Sequence, residues 1–123
     1  MITRQYLQEH RNHIFVFGDN LKRYGLGGAA TLRNEPNTYG FITKKAPNNH
    51  DRSFYHPGEY RQVYRDEVHA LRIFISSNPN LTFLITPLGS GLANRYKIWD
   101  NVIRPAIRKD LAGLANVKFL WED

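Results

Sequence analysis

Four short apolar runs, spaced by stretches of helical periodicity, set the expected fold. Ile14-Phe15-Val16-Phe17 is continuous and rich in β-branched and aromatic residues, as a buried strand requires. Tyr39-Gly40-Phe41-Ile42-Thr43 reads as a second strand, residues 81–86 as a third and residues 117–121 as a fourth. Between the second and third, Tyr64, Val68, Leu71 and Ile75 recur at helical spacing, which predicts a helix over 59–77 closed by Asn78-Pro79-Asn80. Trp99, Val102, Ile103, Ala106 and Ile107 make one stripe of a helix over about 97–111, with Pro105 expected to kink it or mark its effective start, and Gly113 ends it. Thr3 can cap a short first helix reaching about His10, with Tyr6 and Leu7 turned inward.

Strands alternating with helices, with no hairpin signal between them, predict an α/β fold in three layers. The sheet is expected to be mainly parallel, covered by helices on both faces, within one domain spanning residues 1–123. In such sheets ligands sit beyond the carboxyl ends of the strands. The composition narrows the partners. Seventeen Lys and Arg against eleven Asp and Glu leave a net charge of +6, which favours anionic ligands. No cysteine is present, so disulfides, thiolate metal sites and a Cys nucleophile are excluded, and a reducing, cytoplasmic setting is expected. No apolar run approaches the roughly 20 residues of a membrane span, so no membrane partner is expected. His10, His13, His50 and His56 have no metal-type spacing, and neither metal nor cofactor is expected.

Two small-residue loops follow strands and carry the candidate chemistry. After the first strand come Gly18-Asp19-Asn20 and then Gly25-Leu26-Gly27-Gly28-Ala29-Ala30, with Thr31, Leu32 and Arg33 expected to continue as a helix. After the third strand comes Pro87-Leu88-Gly89-Ser90-Gly91-Leu92. Backbone amides at such corners can face an anion, and absent side chains let it approach. Two of them at one crevice suit a diphosphate. A Walker A loop is excluded because Gly28 is followed by Ala29. The dinucleotide fingerprint is met by Gly25, Gly27 and Ala30, but seven residues separate it from the strand, and Lys44 stands where the ribose-binding acid belongs. The irregular 46–58 stretch reads as a surface loop of the length that serves as lid or binding segment.

The strand followed by Asp19-Asn20 and by Gly27-Gly28-Ala29-Ala30 resembles the first ligand loop of macro domains, which bind ADP-ribose. Phe83-Leu84-Ile85-Thr86-Pro87-Leu88-Gly89-Ser90-Gly91-Leu92, with Trp99 and Val102 beyond, resembles their second loop and the helix after it. Phe41-Ile42-Thr43-Lys44-Lys45 is similar to the strand bearing the reactive lysine in the branch that releases terminal ADP-ribose from proteins. The whole resembles small macro-like proteins of phages and bacteria. The resemblance implies that Gly27, Gly28 and Ala29 cradle a diphosphate with the backbone of Gly89, Ser90, Gly91 and Leu92, and that Gly18, Ala30, Pro87 and Leu88 also line the ligand. It implies that Asp19 or Asn20 holds adenine or ribose, with Thr43, Asn94 and Tyr96 also at the ligand, and that Lys44 and Asp19 are the candidate catalytic groups. The macro hydrolases carry an acid where this chain has Ala93, so cleavage of an ADP-ribosylated macromolecule stays open beside plain binding.

Each candidate has a plainer alternative. The glycines can serve tight turns, Asp19-Asn20 a local cap, and Lys44 a solvated strand end. Lys44 could attack an opened ribose carbonyl if burial or a neighbouring cation lowers its pKa. Tyr24, Phe54, Tyr55 and Tyr96 lie in or beside the expected ligand edge and can stack on a base. A basic nucleic-acid-binding or interaction module is the alternative function, although the arginines are scattered along the chain.

Overall fold

The structure, a computed structural model, describes residues 1–122. Its sheet has four strands, β1 (His13–Asn20), β2 (Thr38–Lys44), β3 (Thr82–Ile85) and β4 (Val117–Phe119), in the spatial order β2-β1-β3-β4. Every pairing is parallel. The α/β class and parallel sheet expected from the alternation are therefore present. Among the described residues, no helix is long and apolar enough to cross a membrane.

Register sorts the side chains into two faces. Ile14 pairs with Phe83, Val16 with both Tyr39 and Ile85, and Gly18 with Phe41, which puts these residues on one face. Against that face lies α2 (Pro57–Ser76), whose buried stripe is Tyr60, Tyr64, Val68, Leu71 and Ile75. Phe17, Asp19, Gly40, Ile42 and Leu84 occupy the other face by the same alternation. There α1 (Arg4–Glu9) lies along β1, with Leu7 wholly buried. The helix α2 starts two residues before position 59, because Pro57 provides a pre-set first turn and the His56 N–H donates to the Glu59 carboxylate at 3.0 Å.

Two expected helices are shorter than their periodicity suggests. Over 97–111 the chain makes a π-helical turn at Trp99–Ile103, then a break, then α3 (Ile107–Asp110). Pro105 has no N–H for the Asn101 carbonyl. The turn ahead of it is wound wider, with the Arg104 N–H donating to the Trp99 carbonyl five residues back at 2.8 Å. The stripe is still buried, since Trp99, Val102, Ile103 and Ile107 all join the main core. After the first glycine loop there is one 3-10 turn, Gly28–Ala30, followed by turns rather than a helix through Arg33. The Arg33 side chain is drawn away to Asp19, and Pro36 leaves too few residues to propagate a helix.

Both crossovers to a neighbouring strand end on the same device. The Asn37 amide, just before β2, donates to the carbonyls of Leu7, His10 and His13 at 2.9, 3.1 and 3.0 Å. The Asn116 amide, just before β4, donates to the carbonyls of Ile75, Asn78 and Leu81 at 3.4, 3.1 and 2.9 Å. The main-chain carbonyl of each Asn also accepts from the neighbouring strand, from the Phe15 N–H and the Phe83 N–H. One asparagine, through its side-chain amide and its main-chain carbonyl, thus ties a helix end, a strand start and the returning strand together. We expect Asn37→Ala to cost about 2–3 kcal/mol in urea unfolding, because it leaves carbonyls without their donor in a buried position. Asn37→Asp, which keeps the shape but turns the donor into an acceptor, is expected to cost at least as much.

Candidate ligand-binding cleft

The β1 and β3 strands are neighbours whose onward connections leave in opposite directions, one to β2 and the other to β4. Such a reversal opens a crevice at the carboxyl ends of the strands. Here it holds a cleft of about 710 Å3 walled by both small-residue loops. That volume lies inside the roughly 300–1,000 Å3 range of small-molecule sites. The two corners meet directly: a Cβ built on Gly28 would stand 3.4 Å from Leu92 Cδ1. Gly28 has φ +55° and Gly89 has φ +79°, backbone states that favour glycine. Gly89 also has no room for a side chain, since its Cβ would sit 3.2 Å from Ile103 and 3.3 Å from Ile98.

At the floor, Gly18 lies beside the Thr43 hydroxyl and the Gly89 amide nitrogen, which a Cβ would approach to 3.1 and 3.7 Å. Thr43 is buried and its hydroxyl donates to the Asp19 carbonyl at 3.3 Å. The rim is apolar and open to solvent: Tyr24, Leu26 and Leu92 are 61%, 53% and 66% exposed. Large apolar side chains held in water around a concavity mark a surface shaped for a ligand.

The first loop is held by one buried charge. The Asp19 side chain is only 2% exposed. Its Oδ1 accepts from the Asn20 N–H at 2.7 Å and from Arg33 Nη2 at 2.5 Å, and its Oδ2 accepts from Arg33 Nη1 and Arg23 Nη1, both at 3.0 Å. Arg33 then donates from Nε to the Gly25 carbonyl at 2.9 Å, fixing the glycine loop to the strand end. Burial pushes the Asp19 pKa up, but the bonds from Arg33, Asn20 and Arg23 outweigh it and hold the carboxyl below its ordinary range. Asn20 is likewise engaged locally. Its Oδ1 accepts from the Lys22 N–H at 3.0 Å and its Nδ2 donates to the Tyr24 carbonyl at 2.9 Å. Both residues line the cleft, yet their polar atoms shape the loop.

Lys44 lies at the far wall. Its amine donates to the Asn48 carbonyl at 2.8 Å and stands 4.8 Å from the centre of the Phe54 ring, whose other visitor is Arg95 at 3.9 Å. Burial, and then the Arg95 charge, lower its pKa from the ordinary value. Among the described residues lining the cleft, Lys44 is the one cation.

The cleft brings together the expected glycines and alanines of the first loop with Asp19, Asn20, Thr43 and Lys44, and Pro87 through Leu92 of the second. It does not include Asn94 or Tyr96. Asn94 Oδ1 accepts from the Trp99 N–H and its Nδ2 donates to Asp100, capping the π-helical turn. The Tyr96 hydroxyl donates to Asp51 and its ring stacks on His56 at 3.8 Å, tying the second loop to the 46–58 segment. Both are drawn off by partners outside the cleft, Asn94 by the turn that follows it and Tyr96 by the 46–58 segment. Residues not expected as ligands include Phe15 in the wall and Pro47, Asn48 and Asn49 from the 46–58 segment. Arg33 passed as one of many arginines, although a buried acid at a strand end requires a paired cation.

Residues 1–95 match a family described as "Family of unknown function (DUF7831)". No curated protein and no solved structure matches the chain.

Arg33→Ala is expected to cost about 3 kcal/mol, the penalty for stranding a buried charge. Gly40→Ala tests the same group from the other side, because its Cβ would fall 2.2 Å from Asp19 Oδ2. It should cost about 1–3 kcal/mol by overpacking. The pH dependence follows from the depressed folded pKa. The unfolded acid titrates near 3.8, so the stabilisation is complete above that value and lost as pH falls through the lower folded value. The urea-midpoint gap between wild type and Asp19→Asn should hold from pH 7 to 5 and shrink below about pH 4.

Proposed function

Since the chain belongs to this family of unknown function, whose description names no activity, we propose from the cleft itself that the protein binds ADP-ribose or a related adenine-nucleotide derivative. The carrying observation is that two glycine corners from different strands close on one crevice where the strand connections reverse. A diphosphate suits the gap between corners whose backbones are unshielded by side chains. Because the first corner opens only a three-residue 3-10 turn, a helix dipole adds little there, and individual amides would make the contacts. Tyr24, Leu26 and Leu92 offer a base or ribose an apolar rim to lie against. The order of loops also follows the macro-like resemblance, in which the nucleotide lies across the strand ends.

Binding is favoured over turnover by the acid inventory. Asp19 is held ionised by two arginines and has no proton to give near neutral pH. Ala93 occupies the second-loop position at which the resembling hydrolases carry an acid. Lys44 keeps an amine of lowered pKa with no carboxylate against it among the described residues. It would meet a phosphate or the distal ribose, including one displayed on an ADP-ribosylated macromolecule.

Calorimetric titration tests this reading. Wild type should bind one ADP-ribose per chain, and Gly28→Glu should weaken binding at least 100-fold, because the new carboxylate stands where the diphosphate goes. Thermal melting checks that Gly28→Glu is folded, the αL strain being expected to cost about 1–2 kcal/mol. Equal affinity of the two proteins, or no binding by wild type, overturns the assignment.

A further inference from the structure

Beside the cleft lies a second, more open concavity of about 510 Å3, lined by Leu21, Lys22, Lys45, Ala46, Asn48, Arg52 and Ser53. Asn48 lines both hollows, so they adjoin at that residue. Their chemistry differs sharply. The cleft has one cation on its walls, whereas the hollow has three, and no acid lines it among the described residues.

The state of each cation matters. Lys45 is partly engaged: its amine reaches Glu59 at 3.1 Å and stands 5.1 Å from the Tyr55 ring centre. Lys22 and Arg52 are exposed, and neither side chain has an ion pair among the described residues. The nearest acid in sequence, Asp51, is occupied by Tyr96 and by Arg95 at 3.5 Å. Leu21 adds an apolar surface that is 55% exposed. Two unneutralised cations and a third half-neutralised one around a concavity make a site for a compact anion.

We propose that this hollow is a phosphate subsite, which takes a phosphate group of a ligand continuing out of the cleft past Asn48. The cleft reading gives the ligand its starting point, and the subsite extends it. A free diphosphate nucleotide ends within the cleft and leaves the hollow unused. A nucleotide bearing one more phosphate, or a single strand entering by its terminal nucleotide, fills both. A duplex cannot, since its bases are stacked away from a cleft of this size.

Lys22→Ala/Arg52→Ala provides the test, as neither residue lines the cleft or joins the core and alanine keeps the Lys22 N–H that bonds Asn20. The probes are ADP-ribose, its 2′-phosphate derivative and a 5′-phosphorylated tetradeoxyadenylate. The double variant should bind ADP-ribose within twofold of wild type and bind at least one phosphate-extended probe about tenfold more weakly. Its affinity for the strand should also depend less steeply on salt, the logarithmic slope falling by about 1.4 for two lost contacts. Loss confined to the 2′-phosphate derivative identifies a nucleotide phosphate as the source, and loss confined to the strand identifies a phosphodiester. If all three probes bind both proteins equally, or the phosphate-extended probes bind neither, the subsite is refuted. Should wild type fail to bind ADP-ribose while the strand still distinguishes the two proteins, the cleft reading falls and the subsite stands.

Discussion

A single carboxylate at the end of β1 holds the first glycine loop in place at the carboxyl edge of the sheet. Asp19 faces the side of the sheet that Gly40 leaves empty, and a side chain on that neighbouring residue would overlap it. Removing a carboxylate from water is unfavourable by several kcal/mol unless its lone pairs are filled. Here they are filled by one backbone amide and two arginines from the segment that follows. The arginines are thereby brought back over the strand, and the glycine loop between Arg23 and Arg33 must arch outward to let them return. The cleft wall is that arch. Its position is set by an ion-pair network rather than by regular secondary structure, which explains how a loop with one 3-10 turn can stay in place.

The second constraint is topological. Two strand–loop–strand crossovers run away from the sheet centre in opposite directions, and each is closed by an asparagine amide that collects three carbonyls. The amide group can do this because it offers two N–H donors in one plane while its neighbours, at a helix end and a strand start, have carbonyls to spare. The two devices differ in what they anchor. Asn37 holds the short α1 and the start of β1, while Asn116 holds the end of the long α2 and the start of β3. With both return strands locked at their entry ends, the opposite ends of β1 and β3 are left free to part, and the crevice forms there.

What was legible in the chain was whatever depends on local pattern. The strands follow from apolar runs, α2 from a stripe ending in Ile75, and the corners from small residues placed after strands. Less legible was whatever depends on a partner distant in sequence. Arg33 belongs to no periodic pattern, and its meaning comes from Asp19, fourteen positions away. Asn94 and Tyr96 sit near the second corner in sequence, but Asn94 caps the turn at Trp99 and Tyr96 reaches across to Asp51 and His56. Periodicity located the buried stripe around Pro105 correctly while misjudging its winding. Burial requires only that Trp99, Val102, Ile103 and Ile107 face inward, and a π-helical turn before the proline satisfies that as well as an α-helix does.

The distribution of charge separates two tasks that one surface seldom performs together. Cations lining a nucleotide pocket would raise affinity for any anion, and long flexible side chains would also fill the space that glycines keep open. This cleft has instead a wall of small residues, an apolar rim and a lone lysine, which on the proposed reading would select by shape. The surplus cations behind the net charge of +6 lie outside it, partly around the adjoining hollow, where the proposed phosphate would be neutralised without crowding the cleft. An anion arriving from solvent meets that field first. On the proposed reading, selection would follow at the glycine corners, where a ligand without the right outline gains nothing from charge and has no side chain to rearrange around it.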